Sequence, residues 1–205
     1  MFTGIVQGVG CIAEVAPLAV DGGVRLTVDA RNVSGFKVAV GDSIAIAGAC
    51  MTAVQINGAV FDVDASKESL VRTAGLDAIG EVNIEAAMRL GDALGGHLMT
   101  GHVDGVGDVV SMTPAQESWH LVVRVPAELS KYFAAKGSVA IDGVSLTVNR
   151  VVDSSRGCEF GVNVIPHTYR ATTLRSLRAG SRVNIEVDLI ARYVERILSL
   201  RGGSA

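Results

Sequence analysis

Two histidines lie five residues apart in the glycine-rich segment GGHLMTGH, at positions 97 and 102. An imidazole titrates near neutral pH, so either His97 or His102 could act as a general acid or base. For His97 the sequence leaves a structural role equally open, whereas it favours a proton-transfer role for His102. The spacing does not place both rings on one helical face, and no CxxC or HExxH motif accompanies them, so no metal site is predicted.

Cys50 is a further side chain with chemical potential, because a thiolate is a strong nucleophile. A lone cysteine in a β segment is, however, more often a small buried hydrophobe. The chain carries neither the nucleophile elbow GxSxG nor the phosphate loop GxxxxGK[ST]. The glycines of GIVQGVG, residues 4–10, lie outside any βαβ pattern, so no dinucleotide site is predicted.

The chain contains an internal duplication. Residues 3–10 (TGIVQGVG) return as residues 100–107 (TGHVDGVG), and residues 43–52 (SIAIAGACMT) return as residues 138–147 (SVAIDGVSLT). FDVDASKES aligns in the same way with FGVNVIPHT, and VNIE occurs in both halves. Four matching blocks in one order predict two tandem domains of similar fold.

Equivalent positions of the two copies carry different polar groups. A duplication that served only to build a fold would not need such differences, so we expect two similar pockets with different chemistry. The differing pairs, first copy before second, are Ile5 and His102, Ala47 and Asp142, Cys50 and Ser145, Lys67 and Pro166, and Glu68 and His167.

Both copies are rich in short β-branched segments bounded by Gly, Asp or Ser, which is typical of small closed antiparallel barrels. Short helices are predicted at Ser69–Leu76, Ala127–Lys136 and Thr168–Leu177, and a longer one over LIARYVERILSLR. The apolar stripe of this last helix fits core packing or an oligomer seam, and its position after two barrels favours the seam. The predicted domains are two barrels, 1–96 and 97–188, and a helix with its tail, 189–205.

Composition excludes several classes of function. A net charge of −3 over 205 residues argues against a partner that is recognised through nucleic-acid phosphates. No apolar run approaches the roughly 18 residues of a membrane span, and we see no secretory signal at the start of the chain. Three widely separated cysteines favour reduced thiols over a disulfide framework, which predicts a cytoplasmic protein.

Long stretches of the chain match one known family. They are MFTGIV, GDSIAIAGACMT, SKESL, GDALGGHLMTGHVDG, KGSVAIDGVSLTVN, IPHTYRATTL and VNIEVDLIARYVER. In these stretches the chain closely resembles the riboflavin synthase family of the α-chain type. The resemblance implies an all-β fold of two tandem six-stranded Greek-key barrels plus a C-terminal α-helix, which gathers three chains into a homotrimer.

The implied activity is a transferase reaction, the final step of riboflavin biosynthesis. Two molecules of 6,7-dimethyl-8-ribityllumazine dismutate to riboflavin and 5-amino-6-(D-ribitylamino)uracil, as one passes a four-carbon unit to the other without a metal or redox cofactor. The enzyme must help to remove a 7-methyl proton, add a nucleophile at C7 and cleave two C–N bonds. The resemblance also implies one lumazine per barrel, a productive site between the N-barrel of one chain and the C-barrel of another, and an association with lumazine synthase.

The resemblance also assigns residues to the site. The implied catalytic residues are His102, Ser145, Cys50, Thr147 and Asp188. The pocket of the N-barrel is expected to use Gly4, Ile5, Val6, Cys50, Met51, Thr52, Asp64, Ala65, Ser66, Lys67, Glu68 and Ser69. The pocket of the C-barrel is expected to use Gly101, His102, Val103, Lys136, Ser145, Leu146, Thr147, Ile165, Pro166, His167, Thr168, Tyr169 and Arg170.

Two departures and two alternatives accompany this interpretation. Many members have asparagine where this chain has Ala47, and Met51 replaces a commoner leucine. Lumazine proteins keep the fold but bind a lumazine or flavin without turnover, and they resemble the enzyme less in the second copy, which is intact here. A flavin-dependent reductase would need an attached nucleotide domain, for which 205 residues leave no room.

Overall fold

A computed structural model describes residues 1–19, 22–154 and 157–201 of the chain. Within these residues the chain forms two closed antiparallel six-stranded barrels followed by a helix, which confirms the predicted all-β fold. The strands of the first barrel are β1 (Gly8–Pro17), β2 (Val24–Asp29), β3 (Ser43–Ile46), β4 (Ala49–Asn57), β5 (Val60–Ala65) and β6 (Gly80–Ala86). Those of the second are β7 (Gly105–Ala115), β8 (Ser118–Val125), β9 (Ser138–Ile141), β10 (Val144–Ser154), β11 (Gly157–Val164) and β12 (Arg182–Val187).

The duplication extends to topology and register. Around the first barrel the strands follow the order β1-β2-β5-β4-β3-β6, and the counterparts in the second follow the same order, β7-β8-β11-β10-β9-β12. β1 carries a bulge between Ile12 and Glu14, and β7 carries one at the matching place, between Val109 and Ser111. The two halves therefore share a backbone plan as well as four sequence blocks.

In the described part of the chain three α-helices accompany the barrels, and two differ from prediction. α1 (Lys67–Arg72) begins earlier than expected because Ser66 Oγ accepts the N–H of Ser69 and caps it. The predicted Thr168–Leu177 helix is α2 (Pro166–Ala171) and a 3₁₀ turn (Thr173–Ser176), because Thr172 has extended backbone angles.

The remaining helical segments agree better with the sequence. The segment expected to be helical at Ala127–Lys136 is a 3₁₀ helix over Ala127–Tyr132. α3 (Leu189–Arg201) spans the predicted terminal helix. Across the described stretches of the chain, no helix is both long and apolar enough to pass through a bilayer.

Each barrel has its own apolar core, built around one fully buried phenylalanine. Phe61 on β5 lies against Phe36, and Phe160 on β11 stacks on Phe133 with ring centroids 4.6 Å apart. A third apolar cluster joins the halves, in which Phe2 and Met99 pack against Ala45 of β3 and Ala140 of β9. Phe2 is fully buried there, so the start of the chain is part of the junction between the barrels.

Two asparagines bind the barrels together with reciprocal hydrogen bonds. Asn83 of β6 donates from Nδ2 to Asp142 O and accepts the N–H of Thr173, both in the second half. Asn184 of β12 donates from Nδ2 to Ala47 O and accepts the N–H of Ala74, both in the first half. Both asparagine side chains are buried in the junction, so the exchange satisfies polar atoms that are costly to leave unpaired.

The turns that meet at this junction differ in one residue. The β3–β4 turn is Ala47-Gly48 and the β9–β10 turn is Asp142-Gly143, and all four residues have positive φ, as two-residue hairpins require. Asp142 Oδ1 accepts the N–H of Asn184, and burial raises the pKa of Asp142 to about 7. The methyl group of Ala47, with φ of 46°, offers no acceptor to the matching N–H of Asn83.

We expect Ala47→Asn to stabilise the protein by about 1 kcal/mol, because asparagine tolerates the left-handed backbone and can accept the N–H of Asn83. Ala47→Gly is the matched control, because it removes the backbone strain without adding an acceptor and gains flexibility in the unfolded chain. Urea denaturation measures both. An Ala47→Asn variant no more stable than Ala47→Gly would contradict this account of the turn.

Candidate functional site

Each sequence copy has one buried glutamate that holds its opening segment in place. Glu85 of β6 accepts the N–H and the hydroxyl of Thr3 at 2.7 Å, and the N–H of Gly4 at 3.0 Å. Glu186 of β12 holds Thr100 and Gly101 in the same three-bond pattern. Burial raises the pKa of Glu85, although the hydrogen bonds from Thr3 and Gly4 act in the opposite direction.

The clamped segments cross to the opposite barrel. The N–H of Ser145 on β10 donates to Gly4 O at 2.9 Å, and the N–H of Cys50 on β4 donates to Gly101 O at 2.8 Å. Val6 accordingly packs against the core of the second barrel and Val103 against that of the first. Gly101 and His102 thus lie beside Cys50, and Gly4 lies beside Ser145, whereas the resemblance implied a pocket built from the opening segment and the strand of the same barrel.

The first pocket is a cavity of about 230 Å³ beside β4 and α1. It brings together Cys50, which is half-buried, and His102, which the exchanged segment delivers from the second copy. Its polar lining includes Glu68 and Arg72 of α1, so both charges and a thiol face the same space. The full lining is Ala49, Cys50, Ser66, Glu68, Ser69, Arg72, Thr73, Gly101, His102 and Val103.

The residues around Ser145, the counterpart of Cys50, form a matching polar cluster in the second barrel, here called the second pocket. Ser145 Oγ lies 2.7 Å from His97 Nδ1, and the backbone N–H of His97 donates to Thr3 O. Asp188 caps α3 by accepting the N–H of Ile190, and its charge also acts on His97. Burial lowers the pKa of His97 below its usual 6.5, although Asp188 and Glu186 act to raise it.

Not every residue predicted for the site presents its side chain to a pocket. Met51 and Ala65 belong to the core of the first barrel and Leu146 to that of the second, so only their backbone groups are available. Thr52 and Thr147 are exposed on the outer faces of β4 and β10. These alternations follow from strand geometry, in which neighbouring side chains point to opposite faces.

Three further predicted residues have defined structural environments. Asp64 forms a bidentate ion pair with Arg25, at 2.7 and 2.9 Å, which lowers the pKa of Asp64. Lys136 lies in a turn with φ of 70°, and its N–H donates to Val148 O. On α2, Tyr169 stacks on Trp119 with ring centroids 3.7 Å apart. The other predicted positions of this segment are Ile165 and His167, both exposed, Pro166 and Thr168, half-buried, and Arg170, exposed.

The sequence interpretation overlooked several residues that shape the site. Glu85 and Glu186 are the last residues of the two VNIE repeats. An acidic residue shared by both copies, in a strand that is otherwise apolar enough for burial, was the sequence signal that could have identified them. Phe2 gave no signal beyond its position near a repeat. No group of three or more His, Cys, Asp or Glu placed to hold a metal ion occurs among residues 1–19, 22–154 and 157–201.

A larger cavity of about 560 Å³ adjoins the first pocket. It lies between α1 and the second barrel and shares Glu68 and Arg72 with that pocket. Lys67 of α1 and Arg182 of β12 also line it. The two cavities therefore lie side by side along α1.

Comparison with known proteins identifies two matched segments and full-length relatives. The lumazine binding domain family matches residues 3–87 and 100–188. Riboflavin synthase from Photobacterium phosphoreum is 41% identical over 200 residues, covering 97% of this chain and 89% of that protein. Riboflavin synthase from Mycobacterium bovis (strain ATCC BAA-935 / AF2122/97) is 39% identical over 212 residues, covering 98% of this chain and all of that protein.

The fold is also similar to solved structures of LumP. A LumP complex with riboflavin superposes with a TM-score of 0.80 at 26% identity, and one with 6,7-dimethyl-8-(1'-D-ribityl) lumazine with 0.77 at 25%. Both matches cover 91% of this chain and 99% of the LumP chain.

We expect Gly101→Ala to disrupt the first pocket. A Cβ there would lie 2.5 Å from Cys50 Cβ on a backbone with φ of +78°. Gly58→Ala is the matched control, with φ of +64° and open space around the added methyl group. Both should lose about 1–2 kcal/mol of folding free energy from backbone strain, and Gly101→Ala a further 1–3 kcal/mol from overpacking.

Urea denaturation and the rate at which a disulfide reagent modifies Cys50 measure the two effects of Gly101→Ala. The rate should change in Gly101→Ala and stay at the wild-type value in Gly58→Ala. Equal losses of stability together with equal thiol reactivity would show that Gly101 does not pack on Cys50 as described.

Proposed function

This chain belongs to the lumazine-binding family, and we propose that it is a riboflavin synthase, a transferase that dismutates two molecules of 6,7-dimethyl-8-ribityllumazine. One molecule donates a four-carbon unit to the other, which yields riboflavin and 5-amino-6-(D-ribitylamino)uracil. Relatives named riboflavin synthase, 41% and 39% identical over nearly the whole chain, support this enzyme function. The proposal involves no metal or redox cofactor.

One structural observation carries the proposal: a single backbone plan places different reactive groups at two equivalent sites. The first holds Cys50 with His102, and the second holds Ser145 with His97. A reaction that consumes two identical molecules needs two similar binding sites, but the donor and the acceptor need different chemistry. Holding both reactants in place can remove about 7–11 kcal/mol of the barrier to a bimolecular step.

The pocket residues can divide the work between the two ligands. Backbone N–H and C=O groups of β4 and β10 suit the pyrimidinedione edge of a lumazine. Ser66 and Ser69 line the cavity beside Cys50, where their hydroxyls can bind a ribityl chain. Because His102 shares a cavity with Cys50, we assign both to the ligand of the first pocket, and Ser145 to the ligand of the second.

The proposal includes a homotrimer in which the first pocket of one chain faces the second pocket of another. α3 supports an intersubunit contact, because its apolar side chains are exposed and need a partner. Ile5 and Ile165, on the segments next to Ser145 and α2, are also exposed. The exposed apolar residues of α3 are Ile190, Tyr193, Val194, Ile197, Leu198 and Leu200. A cytoplasmic location and an association with lumazine synthase stay predictions.

The alternative is a lumazine protein that binds its ligand without turnover. The LumP complexes favour this alternative, because LumP has a similar fold and its structures contain a lumazine or riboflavin. The synthases favour the enzyme, because their identity to this chain is higher, at 41% and 39% against 25–26%.

We expect the purified protein, incubated with 6,7-dimethyl-8-ribityllumazine and no other cofactor, to form one riboflavin for every two lumazines consumed. Absorbance and chromatography measure the substrate and both products. A heat-denatured sample of the same protein controls for spontaneous dismutation. Tight lumazine binding without riboflavin would instead identify a lumazine protein and refute the enzyme assignment.

We expect Ile197→Glu to dissociate the trimer, because it places a charge on the exposed apolar face of α3. Ser199→Glu adds the same charge on another face of the helix and serves as the control. Light scattering should give the mass of one chain for Ile197→Glu and of three for Ser199→Glu. Turnover should fall by about 100-fold in Ile197→Glu, since the two reactants are no longer held together, while lumazine binding persists. Full turnover by a monomer would overturn the intersubunit site.

A further inference from the structure

The terminal helix α3 is not held in place by core packing. None of residues 189–200 is buried, and six of their apolar side chains are exposed. A helix is normally oriented by an apolar face that it buries against its own chain, and α3 buries no such face. The position of α3 relative to the second barrel therefore depends on its polar contacts.

Two ion pairs connect α3 to the second half of the chain, as far as the structure describes it. Lys131 Nζ lies 2.7 Å from Glu195 Oε1, and Arg192 Nη2 donates to Asp104 Oδ1 at 2.5 Å. The side chain of Asp104 is only 9% exposed, whereas that of Lys131 is 51% exposed. Because water screens the Asp104 carboxylate less, we expect its pair with Arg192 to be the stronger constraint on α3.

Asp104 joins the end of the second barrel to the start of α3. Its Oδ2 accepts the N–H of Val187, the last residue of β12, at 2.8 Å. Its Oδ1 accepts from Arg192, which lies in the first turn of α3. The N–H of Asp104 itself donates to Ile185 O at 2.8 Å. One carboxylate thus spans the joint between the last strand and the helix.

The first copy has the same backbone contacts without the charge. Gln7 occupies the position that matches Asp104, and its N–H donates to Ile84 O. The side-chain oxygen of Gln7 accepts the N–H of Ala86 at 2.9 Å. An amide is therefore sufficient for the backbone role. The carboxylate stands in the copy that α3 follows, where it also binds a guanidinium, so its charge serves the helix.

Asp104 also ends the segment that brings His102 to the first pocket. Glu186 holds the start of this segment through the N–H of Gly101, and Asp104 fixes its end two residues beyond His102. His102 lies between these two fixed points, in the cavity that contains Cys50. A displacement of Asp104 would therefore move the backbone of His102 relative to Cys50.

We propose that Arg192 is a positioning residue, which acts through Asp104 to hold the His102 segment in the first pocket. This inference rests on the proposed function. Arg192 lines neither the 230 Å³ cavity nor the 560 Å³ cavity, so its effect on the reaction is indirect. Ion pairs that join rigid elements can carry such an effect between distant groups. The helix assigned to assembly thereby also determines the geometry of one reaction site.

Asp104→Asn isolates the ion pair, because the asparagine oxygen can still accept the N–H of Val187, as Gln7 does for its partner in the first copy. Arg192→Met removes the same pair from the other side. We expect each variant to remain a trimer by light scattering and to lose about 10–100-fold in kcat, since a small misplacement near reacting groups is costly. KM should change by less than about threefold, because the lumazine contacts of β4 stay intact.

Three further variants separate positioning from simple stabilisation. Lys131→Met is the matched control, since it removes the other ion pair of α3, and it should retain the wild-type kcat. Arg192→Lys keeps a cation and should recover most of the activity lost in Arg192→Met. The double variant of Asp104→Asn and Arg192→Met should be no slower than the slower single variant, because both changes remove one interaction.

Carbon NMR of ¹³C-histidine-labelled resting protein tests the positioning without turnover. The ring resonance of His102, identified by its loss in His102→Gln, should move in Arg192→Met and in Asp104→Asn and stay in place in Lys131→Met. An unmoved resonance in the first two variants would overturn the proposal, as would a kcat within about threefold of wild type or additive losses in the double variant. A wild type that makes no riboflavin refutes the proposed function, whereas the His102 resonance tests this inference separately.

Discussion

The structure depends on two buried carboxylates that each hold a left-handed glycine segment. Glu85 and Glu186 accept three hydrogen bonds each, from a threonine and the glycine that follows it. Bonds to a charged acceptor contribute about 1.5–3 kcal/mol each, which offsets part of the cost of taking the carboxylate out of water, and burial still raises the pKa of Glu85. With the segments held, Gly4 O accepts the N–H of Ser145 and Gly101 O accepts the N–H of Cys50, so each segment lies against the opposite barrel.

The fold was largely predictable because its signals are local and repeated. Strand boundaries such as those of Ser43–Ile46 and Ser138–Ile141 follow from β-branched runs that end in glycine turns. The helix predicted at Ser69–Leu76 was displaced because a cap at Ser66 starts it earlier, and capping depends on one side-chain hydrogen bond rather than on periodicity. Alternation along β4 and β10 likewise explains why Met51 and Leu146 face the cores.

The site was less predictable because it is assembled across the chain. The repeat identified Gly4 and Gly101 as equivalent but carried no information on which barrel each would contact. That choice is made by contacts between residues far apart in sequence, such as Gly4 with Ser145 and Phe2 with Met99. The pairing of His97 with Ser145 was missed for the same reason.

Exchange of the opening segments also explains how a duplicated fold can acquire different chemistry without losing its frame. The groups that build the junction, Asn83 with Asn184 and Glu85 with Glu186, are the same in both copies, because each must satisfy the same backbone atoms. Cys50 and Ser145 form these junction contacts through their backbone N–H groups. Their side chains can therefore differ between the copies, provided that they are of suitable size. Since the opening segment of each copy lies against the opposite barrel, the contacts of Gly4 with Ser145 and of Gly101 with Cys50 are complete only once the junction has formed.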